Sequence, residues 1–194
     1  GRIGSKPKEP YTVLPFFYDC LMDHVDYEAW AAYIHLLIQT YTRQARKIVD
    51  GGCGTGLLMN YLAAKGYRMA GFDVSRTMAQ RAKERTALPV WQGDLKNIAV
   101  YNSADVILCL YDSALYLPPG SFVRMISQAK GVVKPGGLFI FDTVTENHVR
   151  EFWNNYSERR FNKEWICLRT GWYEADRKLQ HTEIMLRSRK GSQK

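Results

Sequence analysis

From Lys47 to Asp142 the chain alternates short apolar runs with amphipathic stretches, and this alternation constrains the fold more than any other feature. Lys47 to Asp50, Tyr67 to Asp73, Leu88 to Gln92, Ala104 to Leu110 and Leu138 to Asp142 read as strands. Leu57 to Lys65, stopped by Gly66, reads as a helix, as do the segment capped by Ser75 and running to about Arg85, and Pro119 to Val133. Lys134-Pro135-Gly136-Gly137 reads as the turn into the fifth strand. The fourth strand is apolar on both faces, which suits a parallel sheet covered by helices. Strand and helix in alternation predict right-handed βαβ units and a three-layer, doubly wound, mostly parallel α/β sheet.

Outside this core the pattern differs. Tyr27 to Tyr41 carries Trp30, Ile34, Leu37, Ile38 and Tyr41 at helical spacing. Beyond Thr145 a helix is expected from Glu146 to about Tyr156. Lys163 to Trp172 and Lys178 to Arg187 then read as an antiparallel hairpin that extends the sheet or arches over its edge. Gly1 to Pro10 is polar and basic, with no apolar run of the kind a secretory signal has, and reads as a disordered leader or cloning remnant. Residues 11–194 are then expected to form one domain, with its core at 45–145 and the hairpin region at 146–194.

Composition narrows the function classes. Apolar residues make up 46% and charged residues 24%, as in ordinary globular chains, and no stretch is apolar enough for a membrane helix. Cys20, Cys53, Cys109 and Cys167 form no C-x-x-C pair, and the four histidines have no H-E-x-x-H spacing. The expectation is reduced thiols, a cytoplasmic location and no metal site. The net charge of +8 is densest around Arg187, Arg189, Lys190 and Lys194. Such a patch attracts anionic substrates or nucleic acid, or serves only as a solubilising tail.

The chemistry concentrates where the first strand ends, in Asp50-Gly51-Gly52-Cys53-Gly54-Thr55-Gly56. Ligands of open α/β sheets bind outside the carboxyl ends of strands, where strand order reverses. Glycines let the backbone turn tightly against a ligand, and the following helix offers free N–H groups to a carboxylate. A nicotinamide fingerprint needs glycine where Leu57 stands, and there is no G-K-[ST] of a phosphate loop. Read singly, Asp73 is a helix N-terminal acid, Asp94 a turn aspartate and Cys53 a small loop residue. Read as an ordered set at successive strand ends, they point to one ligand.

Asp50-x-Gly52-x-Gly54-x-Gly56 resembles motif I of the class I S-adenosylmethionine-dependent methyltransferases. Gly71-Phe72-Asp73-Val74-Ser75 resembles the family's second motif, and Gln92-Gly93-Asp94-Leu95 its third. Val133-Lys134-Pro135-Gly136-Gly137 is similar to the turn before its fifth strand. Tyr18-Asp19-x-Leu21-Met22 followed by Tyr27-x-x-Trp30, Leu110-Tyr111-Asp112-Ser113-Ala114-Leu115-Tyr116-Leu117 and Phe141-Asp142-Thr143 are similar to a bacterial subgroup acting on small molecules or on uncharacterised substrates.

The resemblance implies that S-adenosylmethionine is held by Asp50, Gly51, Gly52, Cys53, Gly54 and Gly56. Asp73 with Val74 would take the ribose hydroxyls, Gly93, Asp94 and Leu95 the adenine, and Cys109 and Tyr18 would add contacts. It implies methyl transfer to an oxygen or nitrogen of a small molecule, leaving S-adenosylhomocysteine. An RNA methyltransferase and a non-catalytic cofactor-binding protein are the alternatives; no Asn-Pro-Pro-Tyr-type base-flipping motif follows strand four. Homodimerisation is compatible with this reading, nucleic acid is disfavoured and no membrane partner is expected.

Two departures stand out. Gly51 occupies a usually aliphatic position, and the family's sixth and seventh strands find no counterpart before Lys194. Truncation or a different architecture is expected there. Candidate catalytic residues are Asp112, Tyr111 and His148. Asp112 orients or deprotonates the acceptor or merely caps the following turn; His148 is a base or an exposed helix histidine. Tyr11 and Tyr18 read as a lid or as ordinary packing, and Trp153, Trp165, Trp172 and Tyr173 as pocket walls or hairpin core.

Overall fold

The computed structural model describes residues 18–100, 103–118, 120–161 and 165–188. The expectations for the leader, for Tyr11 and for Arg189, Lys190 and Lys194 lie outside them, as does the side chain of Trp165. The described residues fall into two compact units that divide between Asp142 and Thr143.

The N-terminal unit is a five-stranded parallel sheet in the order β3-β2-β1-β4-β5. Its strands are β1 (Lys47–Gly51), β2 (Arg68–Asp73), β3 (Val90–Gln92), β4 (Ala104–Cys109) and β5 (Val133–Phe141). Strand order reverses between β1 and β4. The turn Tyr18–Leu21 forms α1, followed by α2 (Tyr27–Tyr41), α3 (Leu57–Ala64), α4 (Arg76–Thr86) and α5 (Ser121–Val132). The doubly wound sheet expected from the sequence is present.

Alternation along β1 sorts the core into two layers. Ile48 packs with Val106 and Leu108 of β4, with Ala31, Ile34 and Ile38 of α2, and with Leu58, Met59 and Leu62 of α3. Val49 packs with Phe72, Ile107, Cys109, and Met125 and Ala129 of α5. Both faces of β4 are therefore buried beyond Asp105, and the run Val106–Cys109 is continuously apolar. α2 begins where Asp26 accepts a hydrogen bond from Ala29 N–H, and α4 where the Ser75 side chain accepts one from Met78 N–H.

β5 begins earlier than the sequence suggests. Val133 pairs with Ala104 and Leu138 with Val106, so Lys134–Gly137 bulges opposite the lone Asp105. Gly136 adopts φ +77°, and a Cβ on Gly137 would come within 2.4 Å of the Asp105 carbonyl oxygen. The expected turn is thus a bulge inside a strand. The Asp105 carboxylate lies at the start of three strands. Its Oδ2 accepts hydrogen bonds from Arg46 and Lys47 N–H, both at 2.8 Å, and its Oδ1 pairs with Lys134 at 2.6 Å.

The C-terminal unit corrects the sequence reading twice. The helix expected to reach Tyr156 is instead α6 (Glu146–His148) followed by a π-helical turn, Val149–Trp153. Tyr156 opens a strand, β6 (Tyr156–Phe161), and the expected hairpin is β7 (Trp165–Glu174) and β8 (Leu179–Ser188). These form a separate antiparallel sheet, β6-β7-β8, with no strand hydrogen-bonded to the parallel sheet among the described residues. Arg169 organises one face, bonding Glu158 at 3.2 Å and the Tyr156 hydroxyl at 3.0 Å while its guanidinium lies over the rings of Trp153 and Tyr156. Trp172 stacks on His181, which bonds Glu174 at 2.9 Å.

Candidate active site

The loop between β1 and α3 owes its path to three glycines in the left-handed region: Gly52 (φ +73°), Gly54 (φ +56°) and Gly56 (φ +80°). Gly52 and Cys53 donate their N–H groups to the Phe72 carbonyl at 2.8 and 3.0 Å. This ties the loop to β2. A Cβ at Gly52 would meet the Ser113 hydroxyl at 2.6 Å, and one at Gly54 the Tyr18 ring at 3.2 Å. Gly56 is the N-cap of α3 and provides no side-chain acceptor, so the first turn of that helix is uncapped.

Asp73 closes the arrangement from β2. Its Oδ2 accepts the Gly54 N–H at 3.0 Å and its Oδ1 the Ser75 N–H at 2.8 Å. The side chain is buried; desolvation raises its pKa despite these two bonds. Asp50, at the end of β1, is 4% exposed. Burial, and next the charge of Asp73, push its carboxyl from 3.8 up to about 7. Two acids therefore flank a loop whose Gly54 amide holds one of them.

A small recess opens here, lined by Tyr18, Tyr27, Asp50, Gly52, Cys53, Thr55, Leu57, Leu58 and Tyr111. Of the residues expected from the sequence, it brings together Tyr18, Asp50, Gly52, Cys53 and Tyr111. Tyr27 was read as a helix residue and as part of the Tyr27-x-x-Trp30 signature, not as a residue of the site. Burial raises the pKa values of Tyr18 and Tyr111, and that of Tyr27 to about 12, so all three stay protonated. The Tyr111 hydroxyl is buried with no hydrogen-bond partner among the described residues. Burial likewise raises the Cys53 thiol, which fits a loop residue acting through its backbone.

Tyr111 and Asp112 both occupy the left-handed region, at φ +57° and +61°. Two consecutive non-glycine residues there cost roughly 1–2 kcal/mol each. The Asp142 carboxylate at the end of β5 holds them, accepting Tyr111 N–H at 3.0 Å and Asp112 N–H at 3.2 Å. The Tyr111 ring also packs edge-on against Tyr27 and Trp30. The Asp112 side chain does not cap the Ser113–Tyr116 turn, contrary to one expectation. Asp142, quoted in the sequence only as a motif residue, emerges as the group that shapes the loop after β4.

The remaining candidates are dispersed. Gly93 donates its N–H to the Asp73 carbonyl at 2.9 Å, and a Cβ there would press on the Phe72 ring. Asp94 accepts Lys96 N–H at 2.8 Å and pairs with the Lys96 ammonium at 3.4 Å. Val74 is exposed, Leu95 is packed against the second core layer, and the Cys109 side chain is fully buried within it. A Cβ on Gly51 would meet Phe72 at 2.8 Å and Leu95 at 2.9 Å. The aromatic ring on β2 thus fills the space an aliphatic side chain would take. His148 belongs to the C-terminal unit, where it is exposed and its ring lies against Phe152.

This geometry has known counterparts. A family described as a methyltransferase domain matches residues 48–137. A methyltransferase-named protein of Geobacillus sp. strain WCH70 is 32% identical over 139 residues, covering 68% of this chain and 56% of that protein. The chain spans about half the length of the curated relatives it matches. Among solved structures, a S-adenosylmethionine-dependent methyltransferase from Clostridium acetobutylicum superposes with a TM-score of 0.78 at 22% identity, covering 91% of this chain and 74% of that one. The sugar N-methyltransferase KedS8 from Streptoalloteichus sp. superposes with a TM-score of 0.76 at 18% identity, covering 97% and 82%. Residues 48–137 thus match the methyltransferase-domain family, and the chain has the fold of the class I S-adenosylmethionine-dependent methyltransferases.

Proposed function

We propose that the chain binds S-adenosylmethionine at the glycine loop and transfers its methyl group to an oxygen or nitrogen of a small-molecule acceptor. The observation that carries this reading is the Gly54 N–H bond to Asp73, which makes the loop and the expected ribose acid one unit. Each Asp73 oxygen takes one backbone N–H and retains a lone pair, so a diol can add one charge-assisted bond to each. The uncapped start of α3 suits a carboxylate, and Asp50 beside it suits an ammonium. Gly93, Asp94 and Leu95 are assigned to the adenine.

The bound cofactor supplies a methyl group already activated by its sulfonium. The chain must then align the acceptor, a contribution of roughly 7–11 kcal/mol in well-oriented reactions. Tyr111 is held protonated by burial and acts as a hydrogen-bond donor rather than a base. We assign Asp112 to orienting or deprotonating the acceptor, with His148 as the second candidate; such a base contributes about 10²–10⁴-fold. The likeness to a sugar N-methyltransferase favours an amine or hydroxyl on a small molecule over RNA. A homodimer is compatible with this reading.

Calorimetry with S-adenosylhomocysteine, followed by methyl transfer from labelled S-adenosylmethionine to a panel of amino sugars and hydroxylated small molecules, tests the proposal. Binding with transfer supports it. Binding without transfer to any acceptor supports a non-catalytic cofactor protein, and no binding removes the reading altogether.

A further inference from the structure

Beside the recess, three residues from three separate elements meet. Asp19 follows Tyr18 in α1, Thr55 sits in the glycine loop and Arg85 lies in the last turn of α4. Thr55 donates its hydroxyl to Asp19 Oδ1 at 2.6 Å. One Arg85 nitrogen donates to Thr55 Oγ1 at 2.8 Å, to the Thr55 carbonyl at 3.4 Å and to Asp19 Oδ1 at 3.2 Å. Its other terminal nitrogen bonds Asp19 Oδ2 directly. Thr55 is 2% exposed, yet the two charged groups are about one-third exposed, at 32% and 37%. Hydrogen bonds from Arg85 and Thr55 hold the Asp19 carboxyl below the usual range, against its partial desolvation.

We propose that Asp19, Thr55 and Arg85 form a latch that holds Tyr18 across the cofactor loop, making all three positioning residues for cofactor retention. Tyr18 is the neighbour of Asp19, lines the recess and lies against Gly54. Without the latch, α1 is a single turn of four residues, too short to hold a position by its own hydrogen bonds. A bidentate guanidinium–carboxylate pair fixes direction as well as distance. Its partial exposure decides the kind of device it is. A screened pair of this sort shifts a local opening equilibrium only about two- to fivefold, which suits a closure that must reopen after each turnover. Thr55 adds the link to the loop, so the latch reports on the loop's shape.

The inference rests on the proposed cofactor site, and the test separates the two. Stopped-flow measurement of S-adenosylhomocysteine dissociation from the full chain, with calorimetric Kd, is made on Asp19→Asn, Arg85→Met, Arg85→Lys, Tyr18→Ala and the Tyr18→Ala/Asp19→Asn pair. The latch predicts about two- to fivefold faster dissociation for Asp19→Asn and Arg85→Met, with association changed less than about 1.5-fold. Arg85→Lys recovers part of the loss. High salt accelerates release from the parent chain but not from Arg85→Met, because only the parent has the pair to screen.

In the double variant the losses do not add, since the latch acts through Tyr18. Additive losses, or dissociation unchanged in Asp19→Asn and Arg85→Met, overturn the latch while leaving the cofactor site standing. Failure of the parent chain to bind S-adenosylhomocysteine overturns both.

Discussion

Asp50→Asn separates what the site needs from what the fold tolerates. Burial raises this carboxyl from 3.8 to about 7, so between these values the folded protein holds a proton that the unfolded chain has released. The stability associated with that proton is fully present below 3.8 and gone above 7; native stability therefore falls as pH rises across the window. The full cost is about 4 kcal/mol, at about 1.4 kcal/mol for each pH unit. Asparagine keeps the volume and cannot ionise. The variant should gain on the parent by about 2 kcal/mol between pH about 5.5 and about 8.5, read as the change in urea midpoint at constant m-value. The same variant should bind S-adenosylhomocysteine at least about tenfold more weakly at the higher pH, because an ammonium then faces an amide. Parent affinity should improve as pH rises through 7, while the variant's stays flat over that window. A variant less stable than the parent at both pH values, or one whose binding keeps the parent's pH profile, would refute the argument.

Further tests address the rest of the site. Asp73→Ala removes the acceptor of Gly54 N–H and two expected ribose bonds; calorimetry should show a loss of about 100-fold or more in affinity for S-adenosylhomocysteine. Asp142→Ala leaves two left-handed residues unsupported, and urea denaturation should show a loss of about 2 kcal/mol, with methyl transfer reduced more than cofactor affinity. Gly51→Val should cost about 2 kcal/mol by overpacking against Phe72 and Leu95; combining it with Phe72→Val should recover much of this, a coupling that thermal melts of the four chains would reveal.

Much of the fold could be read because its determinants are local. The period of α2, the Ser75 cap and the stop at Gly66 each depend on neighbouring residues, and each is found in place. The glycine loop was legible because a positive φ leaves few residue choices. β6 was not legible, because its less exposed positions are Tyr156, Glu158 and Arg160, stabilised by an Arg160–Glu158 pair within the strand and a Glu158–Arg169 pair to β7 rather than by apolar alternation. The bulge in β5 was hidden for a related reason: Gly-Gly signals a turn whether it closes a loop or interrupts a strand. The roles of Tyr27, Asp142 and Arg85 escaped because they arise from contacts across the sequence; motifs marked the first two residues without showing what they touch, and nothing nearby marks Arg85.

The Asp105 carboxylate touches the beginnings of β1 and β5 from its place on β4. Moving β4 by one residue would turn this acid to the opposite side of the sheet, away from two backbone donors and an ammonium. Misaligned chains would thus carry an acid stripped of every one of those donors, at the far end of the sheet from the glycine loop. One aspartate serves the folding chain as an alignment check on three strands, and the geometry assembled at their other ends inherits that accuracy.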